Sequence, residues 1–296
     1  MEPLVYIILV NYNGIEDTIE CIESIHKISY ENYRIVVVDN HSNDALIIEN
    51  SLCSYQDIKV IIADENLGFS YGNNIGIKFA IENNADYYLL LNNDTVVDSE
   101  FLSKLVVAAQ QYKDVGIFTG KIKYYDDRDR IWFAGGSIDP SSGQCNHFGY
   151  NMKDIEFGET EVKEISFATG CLMLLSNEAI NKAGMLDENF FMYCEDLAYS
   201  MVINKHNLKI YYNPDAVIYH KVSASVGKLS KLSQYYMVRN QFYIIKKFVG
   251  QENVFKATLC HIKICMKRLI KHDLDAKILL RAAIDGKRNR MGKVIF

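Results

Sequence analysis

The sequence predicts an α/β fold, a doubly wound and mostly parallel sheet followed by a C-terminal helical extension. Three observations carry that expectation. Short apolar, β-branched runs alternate with stretches of helical apolar spacing through the first third of the chain. This is the signature of parallel strands joined by crossover helices. Most of these runs end on Asn or Asp, and open α/β sheets bind ligands beyond the carboxyl ends of their strands. From Gln234 onward the pattern turns helical and the charge balance reverses.

Taken in order, Val5–Val10 reads as a buried parallel strand. Asn11-Tyr12-Asn13-Gly14 breaks it, and Ile15, Ile19, Ile22 and Ile25 follow at helical spacing. Ile35–Val38 is a second strand, ending at Asp39-Asn40-His41-Ser42. Val60–Ala63 is a third, ending near Asn66-Leu67-Gly68. A helix from about Gly72 to Asn83 leads to a fourth strand, Tyr87–Leu91. The middle, Lys121 to Phe167, reads as irregular and Gly/Ser-rich. Beyond it the pattern gives a strand over Ser166–Leu175, helices at Glu178–Ala183 and Glu195–Asn204, and two short strands, Lys209–Tyr212 and Ala216–His220. Lys221–Ser233 is polar and reads as a mobile loop.

Composition narrows the function classes. The 296 residues are 49% hydrophobic and 23% charged, ordinary for a globular protein. No apolar run reaches the roughly 18 residues that a membrane-spanning helix needs. Met1-Glu2-Pro3 and the apolar run behind it lack a basic leader and cleavage site, so they read as a first strand and not as a signal peptide. The seven cysteines are odd in number, irregular in spacing and without a CxxC pair, as expected of reduced thiols in a cytoplasmic protein. Charge is unevenly distributed. Residues 227–296 hold 16 Lys/Arg against 4 Asp/Glu, while residues 1–226 hold 16 against 33. The last quarter is therefore expected to meet something anionic.

Several residues can carry chemistry, and each has a plainer reading. Leu89–Asp94 is an apolar strand that delivers a carboxylate to solvent. Asp94 can supply one oxygen to a hard divalent cation bound with a diphosphate, or can simply shape a turn. Asp39 can accept hydrogen bonds from a nucleoside or cap a helix. Asn66–Asn74, punctuated by Gly68 and Gly72, precedes a helix whose first amides suit phosphate or sugar oxygens. Glu195-Asp196 places adjacent acids after an apolar run. One of them can serve as a general base, or both can favour the dipole at a helix start. His220 ends a short strand and can complete a metal shell or be structural.

In this order the segments resemble family 2 glycosyltransferases, with the closest similarity to the bacterial rhamnosyltransferase-like branch. The matching pieces are Val10–Gly14, Val38–Ser42, Asn66–Gly76, Leu91–Thr95, Thr169–Met173, Glu195-Asp196, Tyr219-His220 and Tyr235–Asn240. They cover about residues 4 to 245. The resemblance implies a GT-A fold, with a catalytic domain over 1–226 and a basic helical extension over 227–296. The nucleotide-binding half would be about 1–120, and the acceptor and metal half 121–226. It implies donor contacts from Asn11, Asn13, Asp39, Asn66, Gly68, Asn73, Asn93, Arg239 and Asn240, the last two near the diphosphate. It implies Asp94 and His220 as ligands of Mn2+ or Mg2+, Asp196 as catalytic base and Glu195 beside it as support for metal, donor or acceptor. The metal motif reads Asn92-Asn93-Asp94, with one carboxylate where the family often has two. The position two residues after Asp196, often acidic in the family, is Ala198.

The implied reaction is an inverting displacement. A hexose would move from a UDP- or dTDP-sugar to a glycan or lipid-linked acceptor in cell-surface polysaccharide synthesis. A sugar-nucleotide pyrophosphorylase is the enzymatic alternative, but the Gly- and Arg-rich loop expected near its start is absent. An inactive nucleotide-sugar-binding scaffold is the other alternative, and the retained Glu195-Asp196 argues against it. In the tail, apolar positions recur at Phe255, Leu259, Ile262, Met266, Leu269 and Ile270, with Lys256, Lys263, Lys267 and Lys271 on the other side. This is a basic amphipathic helix. Residues 254–293 therefore suit an anionic membrane surface, such as the inner face of the plasma membrane. Packing on the catalytic domain or within a homodimer is the alternative. Nucleic acid is not expected, because the rest of the chain is strongly acidic.

Overall fold

Strands β1 (Val5–Asn11), β2 (Tyr33–Asp39), β3 (Ile58–Ile62) and β4 (Tyr87–Asn92) are the Ile/Val/Leu runs of the sequence. They form because successive side chains point to opposite faces, and both faces are covered. Val5, Ile7 and Leu9 enter one hydrophobic cluster, and Tyr6 and Ile8 enter the other. Helices α1 (Ile15–Ile25), α2 (Ala45–Leu52) and α3 (Phe69–Glu82) connect these strands. The computed structural model describes residues 2–43, 45–52, 55, 57–222, 230–272 and 274–294.

The second half adds β5 (Thr95–Val97), α4 (Phe101–Gln111), β6 (Val115–Tyr124) and β7 (Ile131–Phe133). A separate hairpin pairs β8 (Gly136–Asp139) with β9 (Gln144–His147). Then follow α5 (Asp154–Phe157), β10 (Lys163–Ile165), β11 (Leu172–Ser176), α6 (Asn177–Ala183), α7 (Glu195–Lys205) and β12 (Lys209–His220). The main sheet runs β10-β12-β6-β11-β4-β1-β2-β3, with β5 beside β12 and β7 beside β6. β3, β2, β1, β4, β6 and β12 share one direction, and β11 runs against them between β4 and β6. The sheet is therefore mixed but mostly parallel.

Two expectations change. The segment 121–167 is not irregular, for it contributes strands to the main sheet and the β8–β9 hairpin. The two short strands expected over 209–220 are one strand, with a register shift against β6 between Asn213 and Val217. The loop expected over Lys221–Ser233 falls largely outside the described residues. Its end is helical, because Ser230 accepts a hydrogen bond from the Ser233 amide and starts α8 (Lys231–Phe248).

α9 (Val254–Ile270) and α10 (Ala276–Lys287) complete the chain. α10 closes tightly on α8. A Cβ at Gly286 would lie 2.5 Å from the Arg239 carbonyl oxygen, so glycine permits this approach. A third cluster joins Tyr235, Tyr236, Val238 and Phe242 of α8 to Ile278 and Ala282 of α10, with Phe191, Met192 and Tyr193 packed against it. The extension thus rests on the segment that leads into α7.

Candidate active site

A cleft of 950 Å3 opens along the carboxyl ends of the parallel strands. It is lined by Val10, Asn40, Asn66 and Asn93 from the first half, by Asp94 and His220, and by Asp196 at the head of α7. The extension closes one wall with Tyr236, Gln241 and Ile264.

Asp94 and His220 meet because β5 pairs antiparallel with β12, which sets Thr95 opposite His220. The Lys221 amide then donates to the Asp94 carbonyl at 2.9 Å. The carboxylate comes within 3.2 Å of His220 Nε2, and Trp132 packs edge-on to the imidazole with centroids 4.7 Å apart. Burial works against charge on His220, but Cys171 and Asp94 outweigh it and push its pKa up to about 10.

Glu195 and Asp196 stand in a different field. The chain enters α7 through Tyr193 and Cys194, both left-handed with φ of 68° and 67°, a costly conformation for residues with a Cβ. Asn240 Nδ2 holds that turn, donating to the carbonyls of Met192 at 2.9 Å and Tyr193 at 2.7 Å. Asp196 Oδ2 accepts from the Gly170 amide at 3.1 Å, and Oδ1 from the Leu197 amide at 2.8 Å. Burial nevertheless raises its pKa, against the pull of these amides, His147 and Thr169. Glu195 Oε2 is buried without a hydrogen-bond partner. Its own burial and the neighbouring Asp196 push its pKa up to about 8.

The donor residues expected from sequence divide. Asn66 and Asn93 line the cleft. Asn66 Oδ1 accepts from the Gly68 amide at 3.0 Å and from Asn40 at 3.2 Å. Asn93 donates to Thr18 at 2.8 Å. Asn11 and Asp39 are fully buried beneath the cleft, joined by a 2.9 Å bond. Ser42 satisfies the other Asp39 oxygen through its amide at 2.9 Å, so both residues brace loops. Asn13 is exposed and holds the Asn43 amide at 2.9 Å. Asn73 is buried and bonds back to the Phe69 carbonyl at 2.9 Å within α3.

The helix-start reading of Gly68 also changes. A Cβ there would lie 2.1 Å from the Phe191 carbonyl oxygen, and that oxygen already accepts the Phe69 amide at 2.9 Å. Gly68 lines the cleft, and it also permits this close approach of two loops, which engages the Gly68 and Phe69 amides. Arg239 departs furthest from expectation. It is fully buried, donates to the Gly292 carbonyl at 2.8 Å and lies against the Tyr236 ring, 4.8 Å from its centroid. It ties down the segment around Gly292 and is not among the residues that line the cleft. Asn240 likewise acts by holding the Met192–Tyr193 turn.

Sequence reading gave no role to Trp132, Gln144, His147 or Thr169, which all line the cleft, although Thr169 begins one of the matching motif pieces. Trp132, Gln144 and His147 lie in the segment read as irregular. The lone tryptophan of the chain was the one available signal there.

Among the described residues, no helix is long and apolar enough to cross a membrane. Solved structures share the fold. A mannosyltransferase of Pyrobaculum calidifontis in complex with GDP-Man and Mn2+ superposes with a TM-score of 0.61 at 16% identity, over 96% of this chain and 74% of that one. GalNAc-T7 with UDP, GalNAc and Mn2+ gives a TM-score of 0.61 at 15% identity, over 88% and 54%. Among curated relatives, a dTDP-rhamnosyl transferase of Shigella flexneri is 23% identical over 83% of this chain and 81% of its own length. A low-salt glycan biosynthesis hexosyltransferase of Haloferax volcanii is 29% identical over 69% and 62%. A rhamnosyltransferase of Escherichia coli is 23% identical over 71% and 81%. The model described as Glycosyl transferase family 2 matches residues 6–184. The chain therefore belongs to glycosyl transferase family 2, on its rhamnosyltransferase-like side, with the GT-A fold and a sugar nucleotide as donor.

Proposed function

We propose that the protein is a metal-dependent, inverting hexosyltransferase. It moves a sugar, with rhamnose the first candidate, from a nucleoside diphosphate to a hydroxyl of a glycan or lipid-linked oligosaccharide in cell-surface polysaccharide synthesis. The carrying observation is that Asp94, His220 and Asp196 line one cleft. The similarity to the rhamnosyltransferases of Shigella flexneri and Escherichia coli supports rhamnose, and the first of them supports dTDP.

Asp94 and His220 would hold Mg2+ or Mn2+. They fit this role, since the buried Asp94 Oδ1 faces His220 Nε2 at 3.2 Å and His220 Nδ1 is buried without a hydrogen-bond partner. No group of three or more His, Cys, Asp or Glu suited to a metal occurs among the described residues. The remaining ligands would be diphosphate oxygens and water, as hard cations commonly accept. When bound, the ion neutralises charge that develops on the departing diphosphate.

Asp196 accepts the acceptor's hydroxyl proton as that oxygen attacks the anomeric carbon. The bond from that carbon to the diphosphate oxygen breaks, and the configuration inverts. Burial and the neighbouring Asp196 favour the protonated form of Glu195, which can donate a hydrogen bond to a sugar hydroxyl. The nucleoside is received along Val10, Tyr12, Asn40 and Asn66. The enzyme would work from the cytoplasmic side, where sugar nucleotides are available.

A donor panel tests this reading. dTDP-rhamnose, UDP-hexoses, UDP-N-acetylhexosamines and GDP-mannose are each scored for thermal shift with and without Mn2+ and for transfer. At least one, with dTDP-rhamnose first, should give a Mn2+-dependent shift and a glycosylated product. A panel without any Mn2+-dependent shift would sink the proposal.

A further inference from the structure

The apolar stripe that the sequence predicts on α9 is not what attaches α9 to the protein. Ala257, His261 and Cys265, spaced four residues apart, face inward. Phe255, Leu259, Ile262, Met266 and Ile270 face solvent, with Phe255 76% and Ile270 75% exposed. At 3.6 residues per turn these five fall in a strip about 80° wide. Exposed Lys256, Lys263 and Lys267 run along one flank, and α9 contains no Asp or Glu. α10 adds exposed Leu280 and Ile284, with Lys277, Arg281 and Arg288 also exposed. Of the 15 exposed large apolar side chains among the described residues, 8 lie between Phe255 and Ile284. Single exposed apolar residues need no explanation, but a cluster of this kind marks a surface that is covered in use.

We propose that the outer face of α9 docks the enzyme on an anionic lipid bilayer. An apolar strip, a cationic flank and a lack of acids are the features of a helix that lies in the plane of a membrane interface. Charge decides between occupants. Two copies paired through α9 would bring lysine flanks together with no acid on either helix to offset them. Anionic headgroups meet the same lysines favourably. The same helix lines the active cleft from its other side, through Ile264, Cys265 and Arg268, so docking would hold the cleft one helix away from the bilayer surface. A lipid-linked acceptor would then reach Asp196 while its lipid stays in the bilayer. That consequence rests on the glycosyltransferase reading, and the docking does not.

Co-sedimentation of the full chain with vesicles tests the docking. Vesicles of phosphatidylglycerol with phosphatidylcholine should pellet the protein at least tenfold better than phosphatidylcholine alone, and less well in high salt. The combined variant Phe255→Ser, Ile262→Ser, Ile270→Ser should lose at least tenfold in vesicle affinity. Lys256→Gln, Lys263→Gln, Lys267→Gln should lose on the order of 100-fold, at about fivefold per lysine near an anionic surface. None of the six residues lines the cleft, so transfer to a water-soluble acceptor should persist in both variants. No pelleting, equal pelleting on both lipids, or a dimer in sedimentation velocity that the serine variant dissociates would overturn the proposal. Vesicle binding by a protein inactive on every donor would leave the docking intact and remove the activity reading.

Discussion

The two carboxylate stations of the cleft are built from the same residue type and placed in opposite fields. Asp94 stands 3.2 Å from an imidazole that holds its proton up to about pH 10. Glu195, buried, and Asp196, half-buried, stand beside each other, with desolvation raising the pKa of both. Neighbours, not residue type, decide the task. A carboxylate facing a histidine can exchange the histidine's proton for a cation. A carboxylate kept among poor cationic company becomes a stronger proton acceptor.

The comparison can be broken at either end. The largest effect is expected from Asp196→Asn, which should lower transfer by roughly 10²- to 10⁴-fold. Single-turnover kinetics would check it, and near-normal turnover would remove the base assignment. His220→Ala should weaken Mn2+-dependent donor binding by at least the ~10-fold typical of losing an outer-shell partner, as read by calorimetry. An unchanged Mn2+ titration would separate His220 from the metal. Asn240→Ala strands two carbonyls at the left-handed turn before Glu195. It should destabilise the fold by about 1–3 kcal/mol in denaturant titration and lower kcat. Full activity would show that the turn holds without it.

A further effect is expected in the pH dependence of stability. Glu195 has a folded pKa raised from 4.5 to about 8, so the fold binds its proton more tightly than the unfolded chain does. That contribution is fully present below pH 4.5 and is lost as pH rises through about 8. Glu195→Gln should therefore flatten the fall in Tm between pH 5 and pH 8.5. An unaltered slope would show that the Glu195 proton is held no more tightly in the fold.

Much of this was legible from sequence where chemistry sits on regular elements. The parallel strands announced themselves as unbroken apolar runs, and Asp94, Glu195, Asp196 and His220 all line the cleft. Residue pattern alone did not give partnership, and the pairing of Asp94 with His220 came only from the family resemblance. Asp94 and His220 lie far apart along the chain and meet only through antiparallel pairing of the three-residue β5 with β12. Such a short strand carries no periodicity to detect. Trp132, Gln144 and His147 escaped for the same reason, lying on or beside strands of three and four residues. Arg239 and Asn240 belong to a recognisable motif, but burial decides their use, and both turn inward to hold backbone. On α9 the amphipathic pattern was plain. Which face turned inward depended on what α8 offered, and it accepted the small residues Ala257 and Cys265.

The central claim is that the two stations do different work, and one paired measurement tests it. Donor affinity with Mn2+ and single-turnover transfer are determined side by side for Asp94→Asn and Asp196→Asn. The account predicts a crossover. Asp94→Asn loses metal-dependent donor binding, while Asp196→Asn keeps donor affinity within about threefold of the parent and loses transfer. The same pattern of losses in both variants would contradict it.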